Sequence, residues 1–426
     1  MSPPAPSKAG DLPAALTAPF SPGQVRHGRA DDAVDGLLPP VVITPRNVAE
    51  VLSVVRTASA ENLAVLPAGG GSMMELGNPP RGLDVRLAVK GLSQIVERCP
   101  QDMTVTVEAG VGLNRLNRVL EPDGQRVAID PPDDDRATVG GLVSTNRTGG
   151  YAYGFGLPRD LVLGLRLVDG RARVLRAGGK VVKNVAGYDL VRLTTGSHGT
   201  LGIITEVTLR THPIPDDVLS LRFTFETRTD LESARARIYA SGLPLAAFDF
   251  AADRMPAGHG WSLLVRAEGT RESVAYQAEH LTKLCGRGPV ETAKDWESSI
   301  HPEAEEDTVL RYATQPAKLL AVTETVLAST AELTTRARAA GRLGDGLGRV
   351  FLRIPDPAAA ATAVGTVRTA VADASVRVVA ERVPCGAKSS IDVWGQAPVG
   401  FEIMRGLKQV FDPLSLFSPG RFVGGL

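Results

Sequence analysis

Leu63-Ala64-Val65-Leu66-Pro67-Ala68-Gly69-Gly70-Gly71-Ser72 runs a short apolar segment straight into three consecutive glycines. Four apolar residues bounded by glycine predict a strand that ends in a tight backbone bend. Such a bend offers several N–H donors with no Cβ in the way, which is what a phosphate group requires. By itself the stretch reads equally well as a plain turn. It is not the dinucleotide fingerprint of a βαβ unit, because Gly110-Val111-Gly112 lacks the third glycine. Nor is there a triphosphate-binding loop, since Gly179-Lys180 is followed by Val181.

Two further stretches share the character of the first. One is Ala137-Thr138-Val139-Gly140-Gly141-Leu142-Val143-Ser144-Thr145-Asn146-Arg147-Thr148-Gly149-Gly150. The other starts at Lys183-Asn184-Val185-Ala186-Gly187-Tyr188-Asp189-Leu190 and runs on to Gly196-Ser197-His198-Gly199-Thr200-Leu201-Gly202-Ile203-Ile204. Each mixes close-approach glycines with hydroxyl and amide groups. Together the three could line one long polar ligand from several sides, and a dinucleotide with a central diphosphate is the natural candidate.

Around these stretches the pattern is mixed α and β. Thr44-Pro45 reads as a helix start, with Val48, Val51, Leu52 and Val55 on one face. Strands are predicted at 83–89, 103–107, 161–168 and 203–209, and helices at 113–120 and 138–147. After His212-Pro213-Ile214-Pro215 the glycine clusters thin out. Strands at 219–225, 261–267, 349–354 and 376–379 then alternate with helices at 231–240, 272–284, 331–340 and 358–374. That rhythm fits two split βαβ units. The expected division is a mobile leader at 1–35, a first domain at 36–212, a second at 213–395, and a tail at 396–426 that returns to the first.

Composition narrows the function class. The chain has 426 residues, 43% hydrophobic and 22% charged, as in a soluble globular protein of two lobes. Lys+Arg and Asp+Glu are both 47, which argues against a nucleic-acid surface or a polybasic membrane patch. No apolar run is long enough for a transmembrane helix, and no secretory signal is expected. Cys99, Cys285 and Cys385 lie far apart with no CxxC pair, so the chain carries no iron–sulfur or zinc motif of its own. They read as buried free thiols in a reducing cytoplasm.

The bend at 67–72, Thr138-Val139-Gly140-Gly141, the Lys183–Asp189 run and Gly196–Ile204 resemble the vanillyl-alcohol-oxidase (PCMH-type) FAD-binding family. The likeness spans about 36–212 and returns in the tail, at Phe411-Asp412-Pro413 and Ser418-Pro419-Gly420-Arg421. It implies an α+β protein: a two-subdomain PCMH-type FAD-binding fold with an α+β cap of ferredoxin-like repeats. Carried over by position, Pro67, Ala68, Gly69, Gly70, Gly71, Ser72 and Met73 would hold the diphosphate through backbone N–H groups. Pro132, Thr138, Val139, Gly140, Gly141, Ser144, Thr145, Asn146, Arg147 and Thr148 would line the flavin and ribityl side. His198, Gly199, Thr200, Leu201, Gly202, Ile203 and Ile204 would close over the adenine-diphosphate half. His198 stands where the family usually has Glu. No His lies between His27 and His198, and no Cys lies in 67–73 or 138–150, so the FAD is expected to be non-covalent.

Within that family the chain most resembles the FAD-binding E subunits of bacterial glycolate-oxidase complexes. Asp160–Gly170 and Lys183–Leu190 carry the similarity. It implies a homologous flavoprotein subunit and an iron–sulfur subunit as partners, and a small 2-hydroxy acid as substrate (glycolate going to glyoxylate). The setting would be the cytoplasm, or the inner face of the membrane through those partners. Gly341-Arg342-Leu343-Gly344-Asp345-Gly346 resembles a stretch that carries metal-binding histidines in larger hydroxy-acid dehydrogenases, but has none here, so no metal is expected. No catalytic base can be named. Arg342 and Arg349 read as solvated charges or as a carboxylate clamp. Asp133-Asp134-Asp135 reads as a solvated loop. Tyr151, Tyr153 and Arg159 read as packing or as flavin neighbours, and Trp296 and Trp394 as core. Two alternatives stay open: a stand-alone FAD dehydrogenase or oxidase of a small hydroxy acid or alcohol, and a non-catalytic flavin scaffold subunit.

Overall fold

The computed structural model describes residues 14–131, 135–179, 187–255, 258–288, 291–292, 308–334, 336–372 and 376–426. Pro132, Asp133, Asp134, the stretch 183–186 and Trp296 lie outside them. The chain divides into two units. The first comprises residues up to Thr148, Leu157–Ile214 and Gln396–Leu426; the second comprises Gly149–Gly156 and Pro215–Gly395.

In the first unit, β1 (Val25–His27), β2 (Val41–Ile43), β3 (Val65–Ala68) and β4 (Val85–Ala88) form a sheet in the order β1-β2-β4-β3. β2, β4 and β3 run parallel, and β1 is antiparallel to β2. Parallel pairing needs a crossover, and the helix Val48–Glu61 supplies it, burying Val51, Val54, Val55 and Ala58. Its cap is not Thr44 but Asn47, whose Oδ1 accepts the Glu50 N–H at 2.9 Å. Glu50 returns the favour by accepting the Arg46 N–H at 2.7 Å, which fixes the start three residues later than Thr44-Pro45 suggests.

The rest of this unit's strands are β5 (Ile95–Cys99), β6 (Thr104–Glu108), β7 (Gln125–Arg126), β8 (Val162–Val168), β9 (Val174–Gly178), β10 (Ile203–Arg210) and β11 (His212–Pro213). Five of them make an antiparallel sheet, β5-β6-β10-β8-β9, and β11 pairs with β7. One apolar core joins both larger sheets, with Ile43, Val85, Val107, Leu167, Ile203 and Phe417 fully or almost fully buried. From residue 14 onward the expected leader carries secondary structure and buried positions. β1 pairs in register with β2, and Leu16 and Val34 are buried. Its Pro- and Gly-rich composition hides these few anchoring positions.

The second unit is one eight-stranded antiparallel sheet. Its strands are β12 (Asp217–Phe225), β13 (Ala247–Met255), β14 (Gly258–Gly269), β15 (Glu291–Thr292), β16 (Thr308–Ala313), β17 (Ala337–Arg342), β18 (Leu347–Leu352) and β19 (Arg377–Arg382). Helices Arg228–Ser241, Arg271–Cys285, Leu319–Ser329 and Pro357–Ala370 alternate with them. The order β15-β12-β14-β13-β17-β18-β16-β19 is two split βαβ halves joined edge to edge by β13 and β17. The helix expected at 331–340 is absent. Leu319–Ser329 is the helix and Ala337–Arg342 is a strand between β13 and β18. Alanine and arginine favour a helix locally, but pairing on both edges overrides that preference. A Cβ on Gly341 would lie 2.3 Å from Leu347 O, so this strand needs a glycine to sit against its neighbour.

Buried thiols are expected from sequence, yet only Cys285 is buried; Cys99 is half-buried and Cys385 exposed. Among the described residues, no helix is long and apolar enough to cross a membrane.

Candidate functional site

β3 ends at Ala68 and the chain turns through Gly69–Met73. This turn lies against the loop that precedes the helix Val139–Thr145. A Cβ on Gly69 would fall 2.1 Å from Thr138 Oγ1, and one on Gly70 would fall 1.5 Å from Arg136 O. Gly71 has φ +80°. Glycine is therefore required by space at two positions and by backbone conformation at the third. Among the described residues, the N–H groups of Gly69, Gly70, Gly71, Ser72 and Met73 donate no hydrogen bond, and all five residues are half-buried. Five successive uncommitted amides in a half-buried bend are the kind of donor set that an anion requires.

A cation stands beside that bend. Arg86 Nη2 lies 3.3 Å from where a Gly71 Cβ would be. Its Nε is 3.8 Å from Asp32 Oδ1, and burial pushes its pKa below the ordinary arginine value. Asp32 is held mainly by Arg26, whose hydrogen bonds bring its carboxyl down to about 2. Arg86 is absent from the sequence reading. It alternates inside an ordinary strand, and nothing local marks it as facing the glycine bend.

Thr138 caps the helix Val139–Thr145, its Oγ1 accepting the Gly141 N–H at 3.3 Å. The Val139 and Gly140 amides are engaged by Val111 O at 2.9 Å and Ala109 O at 2.8 Å. Val139, Gly140, Thr138 and Thr148 are buried. Gly141, Ser144, Thr145, Asn146 and Arg147 are half-buried. Thr148 Oγ1 donates to Asp130 Oδ1 at 2.8 Å.

The third stretch is stitched to the other two. His198 N–H donates to Ser144 O at 2.8 Å and Gly196 N–H to Val143 O at 3.0 Å. Gly199, at φ +69°, faces the Pro67 ring, with Pro67 Cγ 3.7 Å from where its Cβ would be. The three bends thus converge on one side of the first unit. His198 (φ +54°) sets its ring 5.4 Å from that of Phe422 and is half-buried. Thr200, Ile203 and Ile204 are buried, the last two as core residues of β10. Pro67 is half-buried and Ala68 buried within β3. Asp189 caps the short helix Leu190–Thr194, and Tyr188 is exposed.

Residues of the tail that sequence reading leaves without a role tie these bends together. Lys408 Nζ donates to Thr200 O at 2.7 Å, Asp412 Oδ2 at 2.7 Å and Phe417 O at 3.1 Å. Arg421 reaches Asp35, Met74 O and Leu76 O. Thr200, Asp35, Met74 and Leu76 lie 208 to 386 residues from the side chains that hold them, so no spacing signal could have paired them.

In the second unit, Arg342 and Arg349 are not solvated. Both are buried; Arg349 Nε lies 2.8 Å from Glu381 Oε2 and Arg342 Nη2 2.5 Å from Asp345 Oδ2. Arg311 shares Glu381, at 3.3 Å, and burial lowers its pKa. Tyr151 Oη donates to Glu268 Oε1 at 2.6 Å, and Tyr153 packs edge-on against Phe248. Arg159 is exposed and Trp394 half-buried.

A family model described as an FAD binding domain matches residues 39–178. Glycolate oxidase subunit GlcD of Bacillus subtilis (strain 168) is 31% identical over 278 residues, 62% of this chain and 59% of its own length. Glycolate oxidase subunit GlcE of Escherichia coli (strain K12) is 39% identical over 175 residues, 40% of this chain and 49% of its own. This chain therefore spans only about half to three-fifths of the length of these curated relatives. The solved structure of p-cresol methylhydroxylase with substrate bound matches with a TM-score of 0.70 at 15% identity, over 90% of this chain and 88% of its own. The fold is of the PCMH FAD-binding type, and the cofactor of the first unit is FAD. The residues present suit it: a bend in which two glycines have no room for a Cβ, five amides uncommitted among the described residues, and an adjacent guanidinium supply the donors and the charge that a diphosphate needs.

Proposed function

We propose that this chain is the FAD-carrying flavoprotein subunit of a glycolate-oxidase-type complex. In that complex a small 2-hydroxy acid, glycolate going to glyoxylate, is oxidised and electrons pass on to an iron–sulfur partner. The row of uncommitted amides at Gly69–Met73 is the observation that carries the cofactor side of this reading. The relatives named as glycolate oxidase subunits support the reaction side. FAD, when bound, supplies the two-electron acceptor that 2-hydroxy-acid oxidation needs.

The chain's own residues bind and orient. The 69–73 amides and the Arg86 charge hold the diphosphate. Ser144, Thr145, Asn146 and Arg147 offer polar groups to the ribityl and flavin side, and Gly199 lets the 198–202 bend approach the adenosine half. Thr138, Val139, Gly140, Thr148, Thr200, Ile203 and Ile204 act through the backbone shape they enforce, because these residues are buried. With no His or Cys in the first two bends, the cofactor is dissociable.

Flavin absorbance under anaerobic glycolate tests the assignment. The chain co-purified with its partners should bleach, and the chain alone should stay yellow. Turnover by the isolated chain with a dye acceptor would point instead to a stand-alone dehydrogenase. Flavin that never bleaches in the complete complex would make the chain a scaffold.

A further inference from the structure

Among the described residues the Gly69–Met73 N–H groups donate no hydrogen bond, so their aim must be set by the segments on either side. The tail holds both. On the entry side, Val65 N–H donates to Leu416 O at 2.8 Å and Ser418 N–H to Val65 O at 2.9 Å. On the exit side, Asn78 N–H donates to Arg421 O at 3.0 Å and Arg81 N–H to Pro419 O at 2.8 Å. Between these, Arg421 Nη2 donates to both Met74 O and Leu76 O at 2.7 Å, while Nη1 takes Asp35 Oδ2 at 3.0 Å. The side chain is almost fully buried. Gly77, at φ +120°, lies so close that a Cβ there would be 3.0 Å from Arg421 O. Arg421 meets the two carbonyls with one terminal nitrogen and the carboxylate with the other, a fixed planar fork that the single Nζ of a lysine at this position does not reproduce.

The same tail also holds the third bend. Asp412 accepts the Leu416 N–H at 2.9 Å and the Phe417 N–H at 2.8 Å, and it pairs with Lys408, whose Nζ grips Thr200 O.

We infer that residues 412–421 form a positioning strap for the 69–73 bend, with Arg421 its main anchor, so that the tail sets the affinity for FAD. This rests on the reading that the bend seats the FAD diphosphate. Arg421 is a positioning residue: it aims the amides without contacting the cofactor.

The test compares full-length Arg421→Gln and Arg421→Lys with Val364→Ala, a core truncation in the second unit at a fully buried site. FAD affinity is read from flavin fluorescence on titrating apoprotein, and folding from circular dichroism melts without FAD. R421Q should weaken FAD binding at least tenfold and R421K somewhat less, while V364A lowers the melting temperature with affinity held within twofold. R421Q apoprotein that is folded and binds FAD within twofold of wild type would overturn the strap, as would equal affinity loss in V364A. Should R421Q fail to fold, Asp35→Asn replaces it. Asp35 sits at φ +48°, which Asn tolerates, and the change removes the negative charge that Arg421 Nη1 meets while keeping the side chain's shape. A threefold or greater loss supports the strap, and no loss overturns it. Wild-type chain that binds no FAD at all would defeat the diphosphate reading itself, an outcome distinct from the other two.

Discussion

Replacing Gly70 with alanine puts a single methyl group where the first unit has no space. The new Cβ would lie 1.5 Å from Arg136 O, 2.6 Å from Arg136 C and 3.2 Å from Arg136 Cα. All three are backbone atoms, so no side-chain rotation relieves the clash. An unstrained C···O contact is about 3.3 Å, so the bend and the 136–138 loop must separate by roughly 1.8 Å. Hydrogen bonds fail beyond about 3.5 Å, and a shift of that size takes two amides off their phosphate oxygens. Bonds to a charged acceptor contribute about 1.5–3 kcal/mol each, so the loss is about 3–6 kcal/mol. That corresponds to a rise in Kd of roughly 10²- to 10⁴-fold. The assay is titration of apoprotein with FAD, followed by quenching of flavin fluorescence, alongside a circular dichroism melt of the apoprotein. Folded Gly70→Ala apoprotein that binds FAD within threefold of wild type would refute the amide cradle.

Gly365→Ala should have the opposite sign. Gly365 is exposed within the helix Pro357–Ala370, and a Cβ there meets nothing within 4 Å, so the melt should show a gain of about 0.5–1 kcal/mol. Asp32 should govern acid stability. Its folded pKa of about 2 lies below the usual carboxylate value, so its contribution is complete above about pH 4 and is lost as pH falls through 2. Unfolding free energies from urea titrations should therefore fall across that window by about 1–2 kcal/mol in the wild type, and the fall should shrink in Asp32→Asn. Thiol labelling at pH 8 should find Cys385 fast and Cys285 silent until denaturant is added, because burial pushes the Cys285 thiol up to about 12.

What was legible in the sequence was local. The helix at Leu113–Leu120 follows from its amphipathic spacing, and the strand feeding Gly69–Gly71 from an apolar run with glycine behind it. The convergence of three glycine bends followed from shared chemistry rather than from pairing. What was hidden depended on distant partners. Ala337–Arg342 has helical composition and becomes a strand only because β13 and β18 flank it. β13 itself carries Asp249, Asp253 and Arg254, which break an otherwise apolar run. Residues 14–35 look like a polar leader until β1 finds β2. Arg349 reads as a surface charge until Glu381, on another strand, buries with it. Lys408, Asp412 and Arg421 belong to the tail by sequence and to the cofactor bends by contact.

Hydrogen exchange at the Gly69–Met73 amides, with and without saturating FAD, reads the diphosphate seat most directly. These amides have no partner among the described residues of the protein alone, so they should exchange freely without cofactor and slow at least tenfold when FAD fills the groove. Protection that appears elsewhere while these five stay fast would contradict the diphosphate assignment.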